Sequence, residues 1–286
     1  MSGIPTGLCV FMEYDGNNHL RHYYPAFFMV QCIEAPSTFI PQQSQGHQAD
    51  SSDLDIRLAQ LDLDKLNQQL EQATPQEILA WCLCYIPTGL VQTTSFSLLA
   101  ITHMLHSELA HPLPVIFLDT LHLFPETLET ARKAKSVYNL DLHTYRAIGA
   151  RSREEFAQRY GDELWQRDID KFYEITKVEP LQRSLDELQV KAWITGRRRD
   201  QSETRENLPI IERVKGGRLK INPLANWTNE DIWAYIDQHN VMYNPLHDQG
   251  YTSIGDQPLT TPTAAGEDER AGRWRGTEKT ECGIHW

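Results

Sequence analysis

Short apolar runs alternate with helical segments through the middle of the chain, and this alternation constrains the fold more than any other feature. Four runs have the pattern of buried strands: Leu90–Thr93, Pro114–Leu118, Leu140–Tyr145 and Val190–Thr195. Helical segments are expected between them over Leu98–Leu109, Pro125–Tyr138, about 152–173 and about 180–188. The sequence therefore predicts an α/β domain with a mostly parallel sheet and helices on both faces.

The segment before the first strand is also helical. Leucines recur at spacings of three and four from Leu54 to Leu70. The run Thr74-Pro75-Gln76-Glu77 has the residues of a capping box, so a helix should begin there. Residues 1–52 show no clear period, and their polar end, from Gln42 to Ser52, is typical of a linker.

Charge and cysteine content exclude several classes of protein. The net charge of −12 argues against a nucleic acid polymer as partner, so an anionic ligand must meet local basic clusters. The 5 cysteines have no regular spacing and do not form the framework of a secreted disulfide protein. The apolar run Ala26–Val30 lacks a basic leader and is too short to span a bilayer. We expect a cytoplasmic protein without a membrane partner.

Polar and basic residues follow three of the expected strands, where parallel sheets bind their ligands. Thr93–Ser97 offers hydroxyls and backbone N–H groups at a helix start, which suits a phosphate or sulfate, although an ordinary capping cluster has the same pattern. Asp119-Thr120 follows the second strand. Gly196–Arg205 carries four arginines, which suit bidentate phosphate contacts; a solvated loop paired with Asp200 and Glu203 is the alternative.

The C-terminal tail carries a lone cysteine, Cys282, close to basic residues. Its place near the chain end predicts an exposed thiol, and cationic surroundings favour reactive thiols. A mobile tail would carry it to a bound ligand and then to a partner protein. The alternatives are a surface cysteine without a role, or a metal site with His285 that lacks further ligands nearby. We expect no metal, and we expect Cys82 and Cys84 in a helix core.

These motifs together resemble the phosphoadenylyl-sulfate and adenylyl-sulfate reductases of sulfate assimilation over residues 54–286. The resemblance implies an adenine nucleotide α-hydrolase-like fold, a mobile C-terminal tail and a homodimer. It divides the chain into an extension of unknown role (1–52), a nucleotide-binding reductase domain (53–260) and a tail with the catalytic cysteine (261–286). The matching motifs are Thr94-Ser95-Phe96, Leu118–Thr120, Leu123–Thr127, Lys177–Pro180, Gly196–Arg205, Gly266–Arg270 and Glu281–His285.

The resemblance also implies the roles of individual residues. Ser97 and Leu121 stand where the family commonly has glycine, which bears on how closely the backbone approaches phosphate. Cys282 is the implied catalytic residue. The substrate-binding residues would be Thr94, Ser95, Phe96, Asp119, Arg198, Arg199, Arg205 and His285, with Lys177, Arg270 and Arg273 facing the phosphosulfate.

The implied chemistry begins with attack of the Cys282 thiolate on the sulfuryl sulfur, which forms an S-sulfocysteine. Reduced thioredoxin or glutaredoxin then releases sulfite. No cysteine lies between Cys84 and Cys282, so the four-thiolate iron–sulfur cluster of the adenylyl-sulfate branch is not expected. We therefore expect 3′-phosphoadenylyl sulfate (PAPS) as substrate and no bound cofactor.

Two other classes of protein are compatible with some of these motifs. An ATP-using enzyme of the same fold would need a Ser-Gly-Gly-x-Asp-Ser loop, and Thr93–Ser97 replaces it here. A nucleotide-binding redox sensor would keep the cavity and use Cys282 as its responsive thiol without turnover. Sulfite release in the presence of thioredoxin separates the sensor from the reductase.

Overall fold

The computed structural model describes residues 51–284 and two short strands, β1 (Glu13–Tyr14) and β2 (Leu20–Arg21), which pair antiparallel. The chain divides into two compact units, Met1–Gln43 and Ser44–Trp286. The predicted linker lies outside the described residues except for Ser51 and Ser52, which already belong to the first helix. The central sheet, the cavity and the C-terminal tail all belong to the second unit.

A six-stranded sheet forms the centre of this unit, in the order β5-β4-β3-β6-β8-β7. All neighbouring strands are parallel except β7, which is antiparallel to β8, so the prediction of a mostly parallel sheet is confirmed. The sequence patterns located four of the strands and missed β7 and β8. The strands are β3 (Leu90–Thr93), β4 (Val115–Leu118), β5 (Leu142–Tyr145), β6 (Ala192–Ile194), β7 (Ile211–Arg213) and β8 (Leu219–Ile221).

Helices cover both faces of the sheet. Alternate strand residues point to opposite sides: Val91 and Trp193 pack with Leu185, whereas Leu90 and Ile194 belong to the larger core formed with the other long helices. The helices are α1 (Ser51–Ala59), α2 (Leu63–Leu70), α3 (Pro75–Tyr85), α4 (Ala100–His103), α5 (Pro125–Val137), α6 (Arg153–Tyr160), α7 (Leu164–Arg167), α8 (Ile169–Tyr173), α9 (Glu179–Glu187) and α10 (Asn229–His239).

Several helix predictions were accurate and one was wrong. The capping box at Thr74 is present, and it starts α3. The single helix expected over 152–173 is instead divided into α6, α7 and α8. α6 ends at Gly161, whose φ of 97° is a conformation that favours glycine, and Asp168 caps α8 by accepting from the Lys171 N–H. π-helical turns follow α4 (Met104–Glu108) and α8 (Glu174–Val178).

The two cysteines of α3 differ in their surroundings. Cys82 is buried, as expected, but Cys84 is exposed, so its predicted place in the core was wrong. Positions two residues apart lie on different faces of a helix, and only one of the two can face the sheet. Among the described residues, no helix is long and apolar enough to cross a membrane.

Candidate active site

The carboxyl ends of β3, β4 and β6 open onto a cavity of about 260 Å³. The loops that follow these strands form its wall, as the strand order requires, because all three ends lie at one edge of the sheet. The C-terminal tail closes the cavity from outside. The sequence-predicted residues that line it are Thr94, Ser95, Lys177, Arg198, Arg205, Arg270, Arg273 and Cys282.

The loop after β3 has a left-handed residue at its centre. Thr94 and Ser95 line the cavity, whereas the Phe96 side chain is fully buried and packs edge-to-face on Phe117 with ring centroids 5.0 Å apart. The φ of Phe96 is 54°, a strained conformation for a residue with a Cβ. Ser97 Oγ lies 2.9 Å from His247 Nε2, so a serine at this family glycine position has a specific partner. Phe96 therefore supports the loop from the core.

The two polar residues of the loop after β4, Asp119 and Thr120, differ in whether they line the cavity. Asp119 accepts from the Leu121 N–H at 3.0 Å and from Arg146 Nε at 2.7 Å, and it does not line the cavity. Thr120 does line it, and its hydroxyl donates to Asp256 Oδ1 at 2.5 Å. Leu121 has a φ of 63°, the left-handed conformation that a glycine would adopt without strain. Asp119 thus holds this turn in shape.

Lys177 lines the cavity and forms a buried ion pair with Asp256. Its Nζ donates to Asp256 Oδ2 at 2.6 Å and lies 4.5 Å from the centre of the Tyr173 ring. Burial opposes the charge of Lys177, but the Asp256 carboxylate outweighs it and raises the pKa of the lysine. Burial likewise opposes ionisation of Asp256, and the Lys177 charge outweighs it and lowers that pKa. Both groups are charged at neutral pH.

Consecutive arginines of the loop after β6 point to different partners. Arg197 pairs with Glu212, and Arg198, which is 1% exposed, pairs with Asp200 and Glu269. Both line the cavity, so a fully solvated loop is excluded. Arg199 turns away from the cavity: it contacts Glu71 at 2.5 Å, and its Nε donates to the Leu208 carbonyl at 2.8 Å. Arg199 connects the loop to the end of α2.

The tail is packed in place, which corrects the prediction of an exposed thiol. Cys282 is 9% exposed and belongs to an apolar cluster with Tyr173 and Trp274. The neighbouring Glu281 accepts from Arg205 Nε and Nη2 at 2.7 and 2.9 Å, and from Arg270 at 3.1 Å. A carboxylate between two guanidinium groups holds the tail against the wall, a contact that position in the chain does not reveal.

Electrostatic interactions connect the cysteine with the cations of the cavity. Cys282 lines the same cavity as Lys177 and Arg270, and a thiolate there would favour the charged forms of both. Burial and the nearby Arg205 lower the pKa of Arg270 to about 10, which leaves it charged at neutral pH. Burial opposes ionisation of Glu281, but the hydrogen bonds and charge of Arg205 outweigh it and lower its pKa. The cavity therefore presents cationic groups on both its wall and its tail.

Arg273 is the cavity arginine with an unsatisfied donor. Its Nε is buried without a hydrogen-bond partner, and Nη1 makes only long contacts, 3.4 Å to Ser253 Oγ and 3.3 Å to the Ile254 carbonyl. Its guanidinium lies 4.5 Å from the Trp274 ring centre. A Cβ at Gly255 would lie 2.2 Å from Arg273 Nη2, so the guanidinium occupies the space that a side chain at this position would need. An anionic ligand would satisfy this donor.

Some functional residues were missed by sequence reasoning. Arg197 and Glu269 lay inside recognised motifs and carried a signal, whereas Asp256 had none, because its partner Lys177 is distant in the chain. His285 lies outside the described residues, and so does the part it would play in a metal site with Cys282. Phe96, Asp119 and Arg199 were predicted to bind the substrate, but none of the three lines the cavity.

A parallel sheet whose strand ends form a cationic cavity closed by a cysteine defines an α/β protein built for an anionic ligand. The profile of the phosphoadenosine phosphosulfate reductase domain matches residues 90–262. The chain belongs to this family, as its motifs predicted.

Curated relatives carry two kinds of name. The phosphoadenosine phosphosulfate reductase of Saccharomyces cerevisiae is 48% identical over 81% of this chain and 92% of its own length. The probable phosphoadenosine phosphosulfate reductase of Schizosaccharomyces pombe is 47% identical over 78% of this chain and 84% of its own. The adenosine 5′-phosphosulfate reductase of Salinibacter ruber is 42% identical over 78% of this chain and 88% of its own length.

Solved structures agree with the fold. The PAPS reductase of Candida auris in its phosphate complex is 43% identical, with a TM-score of 0.65 over 71% of this chain and 97% of that chain. The FMN adenylyltransferase of Candida glabrata, in complex with FAD and pyrophosphate, has a TM-score of 0.51 over 80% of this chain and 84% of its own. At 17% identity it supports the fold alone.

Proposed function

We propose that this protein reduces PAPS to sulfite and adenosine 3′,5′-bisphosphate in assimilatory sulfate reduction, with thioredoxin or glutaredoxin as electron donor. The observation that carries the proposal is the position of Cys282, which the tail holds in a cationic cavity beside Lys177 and Arg270. Membership of the family and the names of the fungal relatives support the substrate.

The cationic groups of the cavity wall and of the tail would bind the anionic groups of the substrate. Thr94 and Ser95 offer hydroxyls and backbone N–H groups, and Arg198 and Arg205 offer guanidinium groups for the nucleotide phosphates. Both arginines already pair with carboxylates, so they are preorganised and exchange partners when phosphate binds. Arg273, with its unsatisfied Nε, is best suited to the phosphosulfate.

The first step transfers the sulfuryl group to the protein. The Cys282 thiolate attacks the sulfuryl sulfur; an S–S bond forms, the S–O bond to phosphate breaks, and its electron pair stays on the phosphate oxygen. Lys177, Arg270 and Arg273 stabilise the negative charge that develops on that oxygen. The Asp256 carboxylate holds Lys177 in place.

The second step needs the tail to open, because Cys282 is 9% exposed and a protein dithiol cannot reach it in the closed arrangement. One thiolate of the dithiol attacks Cys282 Sγ, and sulfite leaves with the electron pair of the S–S bond. The second thiol resolves the mixed disulfide, which restores the Cys282 thiol and oxidises the donor to its own disulfide. Opening requires Glu281 to leave Arg205 and Arg270.

The finer assignments rest on the sequence and the family. The absence of cysteines between Cys84 and Cys282 leaves no ligands there for a four-thiolate cluster, so we propose a reductase without an iron–sulfur centre. We also propose a cytoplasmic homodimer in which residues 53–286 carry the reaction. Adenylyl sulfate is the second candidate substrate, since relatives named for it reach 42% identity.

Product analysis with each nucleotide tests the proposal. Purified protein, reduced thioredoxin and either PAPS or adenylyl sulfate are mixed, and sulfite and iron are measured. We expect sulfite release with a higher kcat/KM for PAPS, and no stoichiometric iron. A higher kcat/KM for adenylyl sulfate or a bound cluster indicates an adenylyl-sulfate reductase, and equal preference contradicts the choice of PAPS. Nucleotide binding without sulfite release indicates a redox sensor, and pyrophosphate release in a separate reaction with ATP indicates the ATP-using class.

A further inference from the structure

Two histidines and a glutamate, outside the cavity, form a cluster of side chains that joins α4 and α10. It comprises His103 at the end of α4, Glu108 in the π-helical turn and His239, the last residue of α10. One ligand atom from each residue lies within 4.8 Å of the other two. Glu108 Oε1 is 3.8 Å from His103 Nδ1 and 3.7 Å from His239 Nδ1. None of these residues lines the cavity.

The π-helical turn is what places Glu108 beside His103. In a regular α-helix, positions five residues apart point about 140° away from each other, since each residue turns about 100°. The wider turn over Met104–Glu108, closed by the bond from the Leu109 N–H to the Met104 carbonyl at 2.9 Å, carries Glu108 back over His103. π-Helical turns are rare overall, and those that occur are often part of a functional site.

Neighbouring polar groups fix the carboxylate and one imidazole. The Tyr235 hydroxyl donates to Glu108 Oε1 at 2.6 Å and lies 2.6 Å from His103 Nδ1. Gln76 Nε2 donates to Glu108 Oε2 at 3.0 Å, so the other carboxylate oxygen is held as well. These hydrogen bonds hold the Glu108 carboxylate and the His103 ring in place when no ion is bound. The Tyr235 oxygen occupies the space between the two donors that an ion would share.

We propose that His103, Glu108 and His239 form a binding site for a divalent transition metal, with zinc as the representative ion. Two imidazole nitrogens and one carboxylate oxygen suit zinc, whereas calcium and magnesium prefer oxygen ligands. A tetrahedral zinc site separates its ligand atoms by about 3.3 Å, so the two histidine–carboxylate separations of 3.7 and 3.8 Å, and the histidine pair within 4.8 Å, must all close when the ion binds. The ion would displace the Tyr235 hydroxyl from between Glu108 and His103, and water would complete the fourth position.

Both histidines must be neutral to bind the ion. Because the Tyr235 hydroxyl donates to Glu108, His103 Nδ1 donates to the Tyr235 oxygen in the ion-free protein, and ion binding requires the His103 tautomer that carries its proton on Nε2. The side chains remain partly accessible, at 15% for His103 and 31% for His239, which allows an ion to enter. The geometry and the chemistry of the three donors therefore agree.

The consequence of the site is structural. α4 follows directly from the loop that lines the cavity, and α10 packs against it, so an ion shared by the two helices would fix the segment behind Thr94 and Ser95. The ion takes no part in sulfuryl transfer. Zinc is expected to raise the Tm of the full chain by binding the folded state alone.

Zinc titration of the full-length, chelator-treated protein tests the proposal. The titration uses the Cys282→Ser background, which removes the cavity thiol as a competing ligand. We expect one equivalent of zinc to bind and to raise Tm. His239→Ala and Glu108→Gln should each weaken binding by at least the roughly 100-fold that loss of an outer partner can cost. His111→Ala, an exposed histidine of the same segment, is the matched control and should bind as before.

X-ray absorption of the zinc-loaded Cys282→Ser protein gives an independent readout that needs no change in the cluster. We expect only nitrogen and oxygen neighbours, with the multiple scattering of two imidazoles. Sulfur neighbours, a single imidazole, no zinc binding, or binding unchanged in both His239→Ala and Glu108→Gln would overturn the assignment. If the cluster variants fail to fold, the spectrum alone decides.

Discussion

The wall of the cavity and the tail that closes it are built on different principles. The wall consists of loops that follow β3, β4 and β6, strands whose side chains are almost all buried between two layers of helices. The tail, residues 261–284, has no helix and no strand longer than an isolated bridge. Ion pairs and a few aromatic contacts hold it, chiefly Glu281 with Arg205 and Trp274 with Tyr173.

This difference separates two functions. Distorting the wall disrupts the central sheet, so its geometry is as stable as the fold, whereas the tail can detach by exchanging a few polar contacts. The proposed reaction needs both properties: a rigid nucleotide site, and a thiol that is enclosed during sulfuryl transfer and exposed to the dithiol afterwards. We therefore expect changes in the wall to affect nucleotide binding and changes in the tail to affect the redox chemistry.

The largest expected effect comes from the thiol itself. Cys282→Ser removes the nucleophile and should lower sulfite release by at least about 10³-fold, because the protein would retain binding without covalent chemistry. Calorimetry should show unchanged affinity for adenosine 3′,5′-bisphosphate. The matched control is Cys84→Ser, a change at an exposed position of α3 that should keep full activity. Near wild-type turnover in Cys282→Ser would contradict the separation.

Within the wall, the two adjacent arginines should differ. Arg198→Ala removes a buried guanidinium that lines the cavity and should raise the dissociation constant of adenosine 3′,5′-bisphosphate about ten- to hundredfold. Arg199→Ala removes the contact with Glu71 and should leave that constant unchanged while lowering the free energy of unfolding by about 1 kcal/mol. Calorimetry and urea unfolding measure the two effects, and equal loss of affinity in both variants would place Arg199 at the ligand.

The same contrast explains how much could be predicted from the sequence. The strands of the wall were found because buried parallel strands are short apolar runs, and α3 was found because its capping box is local. Contacts between distant positions carry no such pattern. The pair Arg205–Glu281 joins residues 76 apart, and so the burial of Cys282 was missed. For the same reason the sequence did not reveal the ion pair of Asp256 with Lys177, or the contact with Glu71 that turns Arg199 away from the cavity.

A smaller effect is expected from loosening the tail. Glu281→Gln keeps the size of the side chain but removes the charge that faces Arg205 and Arg270, so the tail should open more often. Losing a hydrogen bond between charged groups costs about 1.5–3 kcal/mol, which corresponds to at least about tenfold faster tryptic cleavage in the tail. Glu267→Gln, which removes an exposed pair with Arg275, is the control and should change little.

The kinetics of Glu281→Gln should also divide between the two half-reactions. Sulfuryl transfer from PAPS should slow, because the thiol spends less time enclosed, while reduction of the S-sulfocysteine by thioredoxin should not slow. Slower reduction with an unchanged cleavage rate would mean that Glu281 does not hold the tail closed.

The smallest effect concerns the pH dependence of the wall. Burial lowers the pKa of His247 to about 4; the nearby Asp248 acts to raise it and Arg198 acts to lower it. The imidazole, which is hydrogen-bonded to Ser97, is therefore neutral in the folded protein. The unfolded chain takes up a proton near pH 6.5, and the folded chain does so only near pH 4. Stability is therefore lost as the pH falls through this window, and none is lost above it. Between pH 7 and 5.5, the free energy of unfolding should fall by about 1 kcal/mol more in the wild type than in His247→Gln, measured by urea unfolding. Parallel pH profiles for the two proteins would show that the Ser97 loop does not depend on a neutral histidine.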